Sequence, residues 1–142
     1  MKRKKVLFVC VHNSARSQMA EAFLENLAGE SFEVHSAGLE PGKLNPVVVD
    51  AMKELGIDIT GKETRSVFDY FREGILFSYV ITVCHQSAGE KCPVFPGLAK
   101  RIHWNFPDPS DFEGTYQERL ERTRKVRDEI KETVNRWLES TC

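Results

Sequence analysis

The 142-residue sequence lacks several features that would place a chain in a large functional class. No apolar run approaches the roughly 20 residues that a membrane-spanning helix needs. Lys and Arg (20) nearly balance Asp and Glu (21), and a net charge of −1 provides no global field for binding nucleic acid or an anionic membrane. Internal repeats and low-complexity segments are also absent. These absences favour a globular protein with a single domain over residues 1–142.

The basic start of the chain does not predict a secretory signal. The apolar run behind it is short and is interrupted by His12, Asn13 and Arg16, without a small-residue cleavage site. We therefore expect a cytoplasmic protein. In that compartment, four cysteines favour catalytic, redox or metal-binding roles over a framework of structural disulfides.

Strand-like and helix-like patterns alternate along the chain. The predicted strands are residues 6–10, 32–36, 78–83 and 100–104, and the predicted helices begin at Gln18, Pro46, Ser66 and Tyr116. In the first of these helices, Met19, Phe23 and Leu27 lie about one turn apart. The alternation predicts an α/β fold of three layers, with helices on both faces of a four-stranded parallel sheet and the last strand at an edge.

The central motif is a cysteine followed six residues later by an arginine. Cys10 ends the first predicted strand, and Arg16 closes a short polar loop before the first helix. Loop and first-turn N–H groups lack intrahelical partners, and the helix dipole is positive there, so the loop favours an oxyanion. The same field should keep Cys10 a thiolate near neutral pH, and the guanidinium of Arg16 suits two oxygens of a tetrahedral anion. The alternative is a buried strand-end cysteine with a surface arginine nearby.

The loop residues form the predicted oxyanion-binding set, which is Val11, His12, Asn13, Ser14, Ala15, Arg16 and Ser17. Ser17 can hydrogen-bond the thiolate and so lower its pKa. Asn13 can brace the loop and tolerates left-handed backbone angles. Ser14 is expected to cap the helix. The sequence assigns no purpose to His12.

A second cysteine pair lies in a polar, glycine-containing segment. Cys84 ends the third predicted strand, and Cys92 follows beside Lys91, whose charge favours a thiolate. Because Cys10 and Cys84 both end parallel strands, they belong to the same edge of the sheet. Two unpaired thiols are one alternative. Zinc bound with His85 is another, although the segment lacks a short Cys-x2–4-Cys knuckle and no second close pair completes four ligands.

Asp108 lies between two prolines, in a stiff loop that can present one carboxyl to the site. A positioned proton donor assists the departure of an oxygen from the central atom of a bound oxyanion. Asp111 is the weaker candidate for this role. A turn-forming aspartate is the alternative interpretation of Asp108.

The segment Cys10–Glu21 resembles the phosphate-binding loop of the low-molecular-weight protein tyrosine phosphatase fold, and within that fold it looks most like the arsenate reductases. Similar stretches are residues 35–38, 56–59, 84–97 and 103–109. The resemblance implies reduction of arsenate to arsenite, with thioredoxin or another thiol reductant as the final electron donor. It also implies a cytoplasmic protein, which we expect to be a monomer.

The resemblance further implies a relay of three thiols. Cys10 attacks the oxyanion, Cys84 attacks Cys10 to release the reduced product, and Cys92 attacks Cys84, with Asp108 as the general acid. A phosphomonoester hydrolase that uses Cys10, Arg16 and Asp108 is the alternative. Phosphatases of this fold usually carry aromatic residues after the Asp-Pro pair, whereas this chain has Ser110 and Asp111. A redox switch formed by Cys84 and Cys92 is a third, non-enzymatic hypothesis.

Some arsenate reductases of this type bind potassium near the loop. Asn13, Glu21 and Ser36 match that site, but Arg65 brings a positive charge where acidic character is expected. We therefore expect no metal and no other cofactor, with potassium at this site as the alternative.

Overall fold

A computed structural model of the chain describes residues 3–84 and 99–141. The strands are β1 (Lys4–Cys10), β2 (Phe32–Gly38), β3 (Tyr79–Thr82) and β4 (Lys100–His103). The helices are α1 (Arg16–Ala28), α2 (Pro46–Lys53), α3 (Val67–Arg72) and α4 (Tyr116–Thr141), and a 3-10 turn covers Pro109–Asp111. The four strands pair in parallel in the order β2-β1-β3-β4, which confirms the predicted sheet and the edge position of β4.

Helices cover the sheet on both faces, because successive side chains of β1 point to opposite sides. Val6 and Phe8 belong to the larger core cluster, which includes residues of α1, α2 and α4. Leu7 and Val9 belong to a second cluster with Tyr70 of α3. The strand is buried on both faces, so its sequence is a continuous apolar run. The predicted three-layer arrangement is confirmed.

Helix α1 begins two residues before the predicted start at Gln18. Its first turn is polar in sequence yet buried, so an apolar pattern could not reveal it. Met19 and Phe23 are buried, but Leu27, one turn further along, is 44% exposed, and Leu24 is the fully buried leucine of this helix. The reason is that residues 25–27 are all exposed in the last turn of the helix.

Helix α2 begins at Pro46, as predicted. The side-chain oxygen of Asn45 accepts the Val47 N–H at 2.9 Å, and Pro46 is the first helical residue. Gly56, with a φ of +76°, ends the turn that follows the helix. The short helix α3 begins one residue later than predicted, at Val67.

The carboxyl ends of β1, β2 and β3 meet at one edge of the sheet. Cys10 pairs with Gly38 on one side. On the other side, Val9 pairs with Thr82, and the N–H of Val83 donates to the Val9 carbonyl at 2.9 Å. The first cysteine is therefore flanked by the ends of two neighbouring strands. In residues 3–84 and 99–141, no helix has the length and apolar character needed to cross a membrane.

Candidate active site

The loop after β1 is held from outside by its carbonyl groups. The Val11 carbonyl accepts the Glu40 N–H at 2.8 Å, and the His12 carbonyl accepts the Gly42 N–H at 3.0 Å. Because C=O and N–H point in opposite directions within a peptide unit, outward carbonyls turn the following N–H groups toward the interior of the loop. The Asn13 N–H, which follows the His12 carbonyl, indeed points at the sulfur of Cys10 at 3.1 Å. The loop therefore has the geometry of an anion site.

Gly38, at the end of β2, supports this loop. A Cβ atom at this position would lie 2.7 Å from the Val11 carbonyl oxygen and 2.8 Å from the Asn13 nitrogen. Both are backbone atoms of the oxyanion loop, so only glycine allows this close approach. Gly38 is therefore a functional residue. It belongs to residues 35–38, one of the stretches that resemble the arsenate reductases, but the sequence alone assigned it no role.

The sulfur of Cys10 lies among hydrogen-bond donors but is closed off from solvent. The side chain is 2% exposed, with the Ser17 hydroxyl 2.9 Å from its sulfur. Burial raises the pKa of the Cys10 thiol, although the Ser17 hydrogen bond, the charge of Arg16 and the Asn13 N–H all oppose that change. This direction opposes the predicted thiolate near neutral pH, because desolvation by burial is the largest of these effects.

Asn13 braces the loop, as predicted. Its φ is 56°, in the left-handed region. Its side-chain nitrogen donates to Ser17 Oγ at 2.8 Å. Its side-chain oxygen accepts the backbone N–H of Arg65 at 2.9 Å and the side-chain amide of Gln18 at 3.2 Å. Gln18 is fully buried in this network, yet nothing distinguishes it in sequence from a surface glutamine.

Arg16 and Asp108 form a buried ion pair. Arg16 Nη2 lies 3.2 Å from Asp108 Oδ2, and the two side chains are 1% and 8% exposed. Arg16 Nη1 also donates to the Phe106 carbonyl at 3.2 Å. The structure thus joins two predicted site residues that are 92 positions apart. The Arg16 guanidinium was expected to bind an oxyanion. In this state it binds the carboxylate of Asp108 instead.

The Asp108 loop also closes the rim of the site. Asp108 Oδ1 accepts the Ser110 N–H at 3.0 Å. The hydroxyl of Ser110 lies 3.4 Å from that of Ser14 and accepts the Asn45 side-chain N–H at 3.1 Å. The predicted capping role of Ser14 is wrong: Ala15 is the N-cap of α1 and makes no side-chain hydrogen bond. The first turn of α1 is fixed by tertiary contacts, so it needs no cap.

His12 lies on the exposed side of the loop. Its ring nitrogen Nδ1 is 2.9 Å from the Glu40 carbonyl oxygen. It contributes to the attachment of the loop to the segment after β2.

Cys84 follows Val83 directly and is fully buried. Its carbonyl accepts the Phe106 N–H at 3.3 Å, which ties it to the segment leading to Asp108. Cys10 ends β1, and Cys84 follows the end of the neighbouring parallel strand β3, so the two cysteines lie at the same edge of the sheet, as predicted. Cys92 lies outside the described residues, together with His85, Lys91 and Cys142.

The residues that match a potassium site already have donors on their oxygens. The side-chain oxygen of Asn13 accepts two N–H groups, as described above. Glu21 Oε1 accepts the Ser36 hydroxyl at 3.0 Å and lies 3.1 Å from the ammonium of Lys62. These groups do not fit an added potassium ion, because the ammonium group of Lys62 already lies against Glu21. Elsewhere in the described part of the chain, no three His, Cys, Asp or Glu side chains converge to hold a metal ion.

Residues 5–141 match the low molecular weight phosphotyrosine protein phosphatase family. An arsenate reductase of Bacillus licheniformis is 43% identical over 142 residues, and the alignment covers 99% of each chain. An arsenate reductase of Bacillus subtilis is 41% identical over the same length, also with 99% of each chain covered.

The fold is likewise similar to that of a solved arsenate reductase described as being in the phosphate binding state. The TM-score is 0.76 at 31% identity, with 98% of this chain and 99% of that chain covered. The matched residues include the oxyanion loop, Arg16, Cys84 and Asp108. The chain therefore belongs to the low molecular weight phosphotyrosine protein phosphatase family, in its arsenate reductase branch.

Proposed function

We propose that this protein reduces arsenate to arsenite by passing an oxidation from Cys10 to Cys84 and then to Cys92. The observation that carries the proposal is the position of Cys84. A second buried thiol lies at the end of the strand next to the one that ends at Cys10. A hydrolase needs only the first thiol, whereas a reductase needs a second one to take up the oxidation.

The first step is binding of the oxyanion. The inward N–H groups of the loop and the guanidinium of Arg16 are complementary to a tetrahedral dianion. Arg16 now binds Asp108, so a bound oxyanion competes for the same guanidinium. Release from Arg16 leaves the Asp108 carboxylate near an arsenate oxygen, where it takes up a proton from solvent and can then act as a proton donor.

The second step forms a sulfur–arsenic bond. A basic oxygen of the bound arsenate accepts the Cys10 proton, and the sulfur attacks arsenic. An arsenic–oxygen bond breaks, and the oxygen leaves as water with a proton from Asp108. Hydrogen bonds from Ser17 and the Asn13 N–H stabilise the sulfur anion as it forms.

The remaining steps are thiol exchanges. Cys84 attacks the sulfur of Cys10, a disulfide forms, and the electron pair of the sulfur–arsenic bond stays on arsenic, which leaves as arsenite. Cys92 then attacks Cys84 and restores Cys10 as a thiolate. An external dithiol such as thioredoxin supplies two electrons to reduce the Cys84–Cys92 disulfide, as expected for a cytoplasmic enzyme.

The alternative of a phosphomonoester hydrolase is not favoured. The similar full-length relatives are named arsenate reductases. After the Asp-Pro pair, where a phosphatase of this fold usually has aromatic residues, the described rim has Ser110, whose hydroxyl accepts the Asn45 side-chain N–H.

Two serine variants test the relay. With excess dithiol reductant, Cys84→Ser should release no arsenite, and Cys92→Ser should release about one arsenite per enzyme before it stops. Cys142→Ser is the matched control and should turn over like the wild-type protein. Multiple turnover in either of the first two variants would contradict the relay. Absence of oxyanion turnover in the wild-type protein would instead favour the redox switch.

A further inference from the structure

A polar cavity of about 360 Å³ lies beside the oxyanion loop. It is lined by groups of both charges, including Glu21 from α1, Ser36 from β2, and Lys62 and Arg65 from the segment before α3. The Arg65 guanidinium is directed to Tyr70, with Nη1 3.2 Å from the phenol oxygen. Lys62 is thus the cation that lies against the carboxylate of Glu21.

The contact between Lys62 and Glu21 is sheltered from solvent. The Lys62 ammonium lies 3.1 Å from Glu21 Oε1 and 3.6 Å from a carboxylate oxygen of Glu25. The side chain of Glu21 is 13% exposed, and that of Lys62 is 27% exposed. The same Glu21 oxygen accepts the Ser36 hydroxyl at 3.0 Å. A carboxylate held this deeply requires a positive partner.

The segment that carries Lys62 also contacts the active site. The Glu63 carbonyl accepts the Gln18 side-chain amide at 3.1 Å, and the Arg65 N–H donates to Asn13 Oδ1 at 2.9 Å. Asn13 in turn donates to Ser17 Oγ, which lies 2.9 Å from the sulfur of Cys10. Lys62 therefore affects Cys10 indirectly, because the segment that Lys62 holds in place is hydrogen-bonded to Asn13.

We propose that the Lys62 ammonium is the built-in cation of this cavity, so that the protein orders its oxyanion loop without potassium. Lys62 is a positioning residue, because it holds Glu21 and the 62–65 segment rather than touching the reacting atoms. A potassium ion at Glu21 would lie against this ammonium, and the repulsion between like charges opposes its binding.

The test compares potassium chloride with tetramethylammonium chloride at equal concentration. Its readouts are the unfolding temperature and the thiolate absorbance of Cys10 in a Cys84→Ser/Cys92→Ser/Cys142→Ser background. Neither readout requires arsenate, so the result is independent of the proposed reduction. The wild-type protein should show no difference between the two salts.

Lys62→Met should lower the folding equilibrium constant about fivefold in tetramethylammonium chloride, as expected for loss of a partly buried ion pair. It should also reduce the thiolate fraction of Cys10, and potassium should partly restore both quantities, because the space beside Glu21 then admits an ion. Lys131→Met, at an exposed position of α4, is the matched control and should respond to neither salt.

Three results would overturn the proposal. They are a potassium-specific stabilisation of the wild-type protein, a Lys62→Met variant that behaves like Lys131→Met, and a destabilised Lys62→Met variant with no potassium response. The first comparison needs no variant, so it remains decisive if Lys62→Met fails to fold.

Discussion

Two opposing effects act on the sulfur of Cys10. Burial raises its pKa, whereas Ser17, Arg16 and the Asn13 N–H lower it. The donors are in place before any substrate binds, so they cost no reorganisation during the reaction. The net effect in the closed site is a raised pKa of the Cys10 thiol.

Replacing Ser17 with alanine should raise the pKa of Cys10 further. A hydrogen bond to a charged group contributes about 1.5–3 kcal/mol, which corresponds to roughly one to two pKa units. The measurement is a pH titration of the thiolate absorbance in the Cys84→Ser/Cys92→Ser/Cys142→Ser background. Ser31→Ala, at an exposed position, should leave the titration unchanged. An unchanged or lower pKa in Ser17→Ala would show that the Ser17 hydroxyl does not stabilise the thiolate.

At the residue scale, the sequence predicts which side chains approach one another but not which of them pair. Cys10, Arg16 and Asp108 were all identified from motif chemistry, and the structure brings them together. The pairing of Arg16 with Asp108 and the depth of burial depend on tertiary packing across 92 positions. Local spacing carries no information about such desolvation, so the sequence could not predict that burial raises the pKa of the Cys10 thiol.

At the scale of elements, an ion-pair network joins the end of α2 to α4. Glu54 follows α2, and its carboxylate accepts from Arg124 Nε at 2.9 Å and from Arg127 Nη1 at 2.8 Å. The hydrogen bond from Arg124 is the main cause that lowers the pKa of Glu54 from 4.5 to about 2, and Arg127 adds to it. Arg127 also donates to the Ala51 carbonyl at 2.8 Å, so the network reaches the last turn of α2.

Glu54→Gln should lower the unfolding temperature at neutral pH. The folded-state pKa of Glu54 lies below its unfolded value, so its contribution to stability is present above about pH 4.5 and is lost as pH falls toward 2. The difference in unfolding temperature between wild type and variant should shrink across that range. Glu132→Gln, which removes an exposed pair with Arg136, is the control and should have a small effect. A difference that does not change with pH would contradict the assignment.

The contact between β2 and the oxyanion loop gives a second prediction at this scale. Gly38→Ala would place a methyl group within 3 Å of backbone atoms of the loop, so the loop has to shift. Loss of one charge-assisted hydrogen bond, about 1.5–3 kcal/mol, should weaken phosphate binding at least about tenfold. Isothermal titration with phosphate measures the change. Gly61→Ala, where the added methyl group meets no atom within 4 Å, is the matched control. Equal affinity in wild type and Gly38→Ala would exclude this supporting role.

Element starts were predictable where a local signal exists. Asn45 and Pro46 mark the start of α2, and the apolar run of β1 marks a strand buried on both faces. The start of α1 was missed because Arg16 and Ser17 are polar residues buried for function. Sequence patterns fail there because the active site departs from the usual relation between polarity and exposure.

At the scale of the whole molecule, the proposed chemistry depends on parallel topology. Parallel strands end at one edge, so β1 and β3 bring Cys10 and Cys84 to the same region although 74 positions separate them in the sequence. Both thiols are buried. In the proposed relay, the attack of Cys84 on Cys10 and of Cys92 on Cys84 takes place at this edge of the sheet.

Identification of cysteine linkages after a single turnover with arsenate tests this account most directly. The protein is mixed with one equivalent of arsenate without external reductant, acid-quenched, treated to block remaining thiols, and mapped by peptide mass spectrometry. The account predicts a Cys84–Cys92 disulfide in the wild-type protein and a Cys10–Cys84 disulfide in Cys92→Ser, each with one arsenite released. Release of arsenite without either disulfide would contradict it.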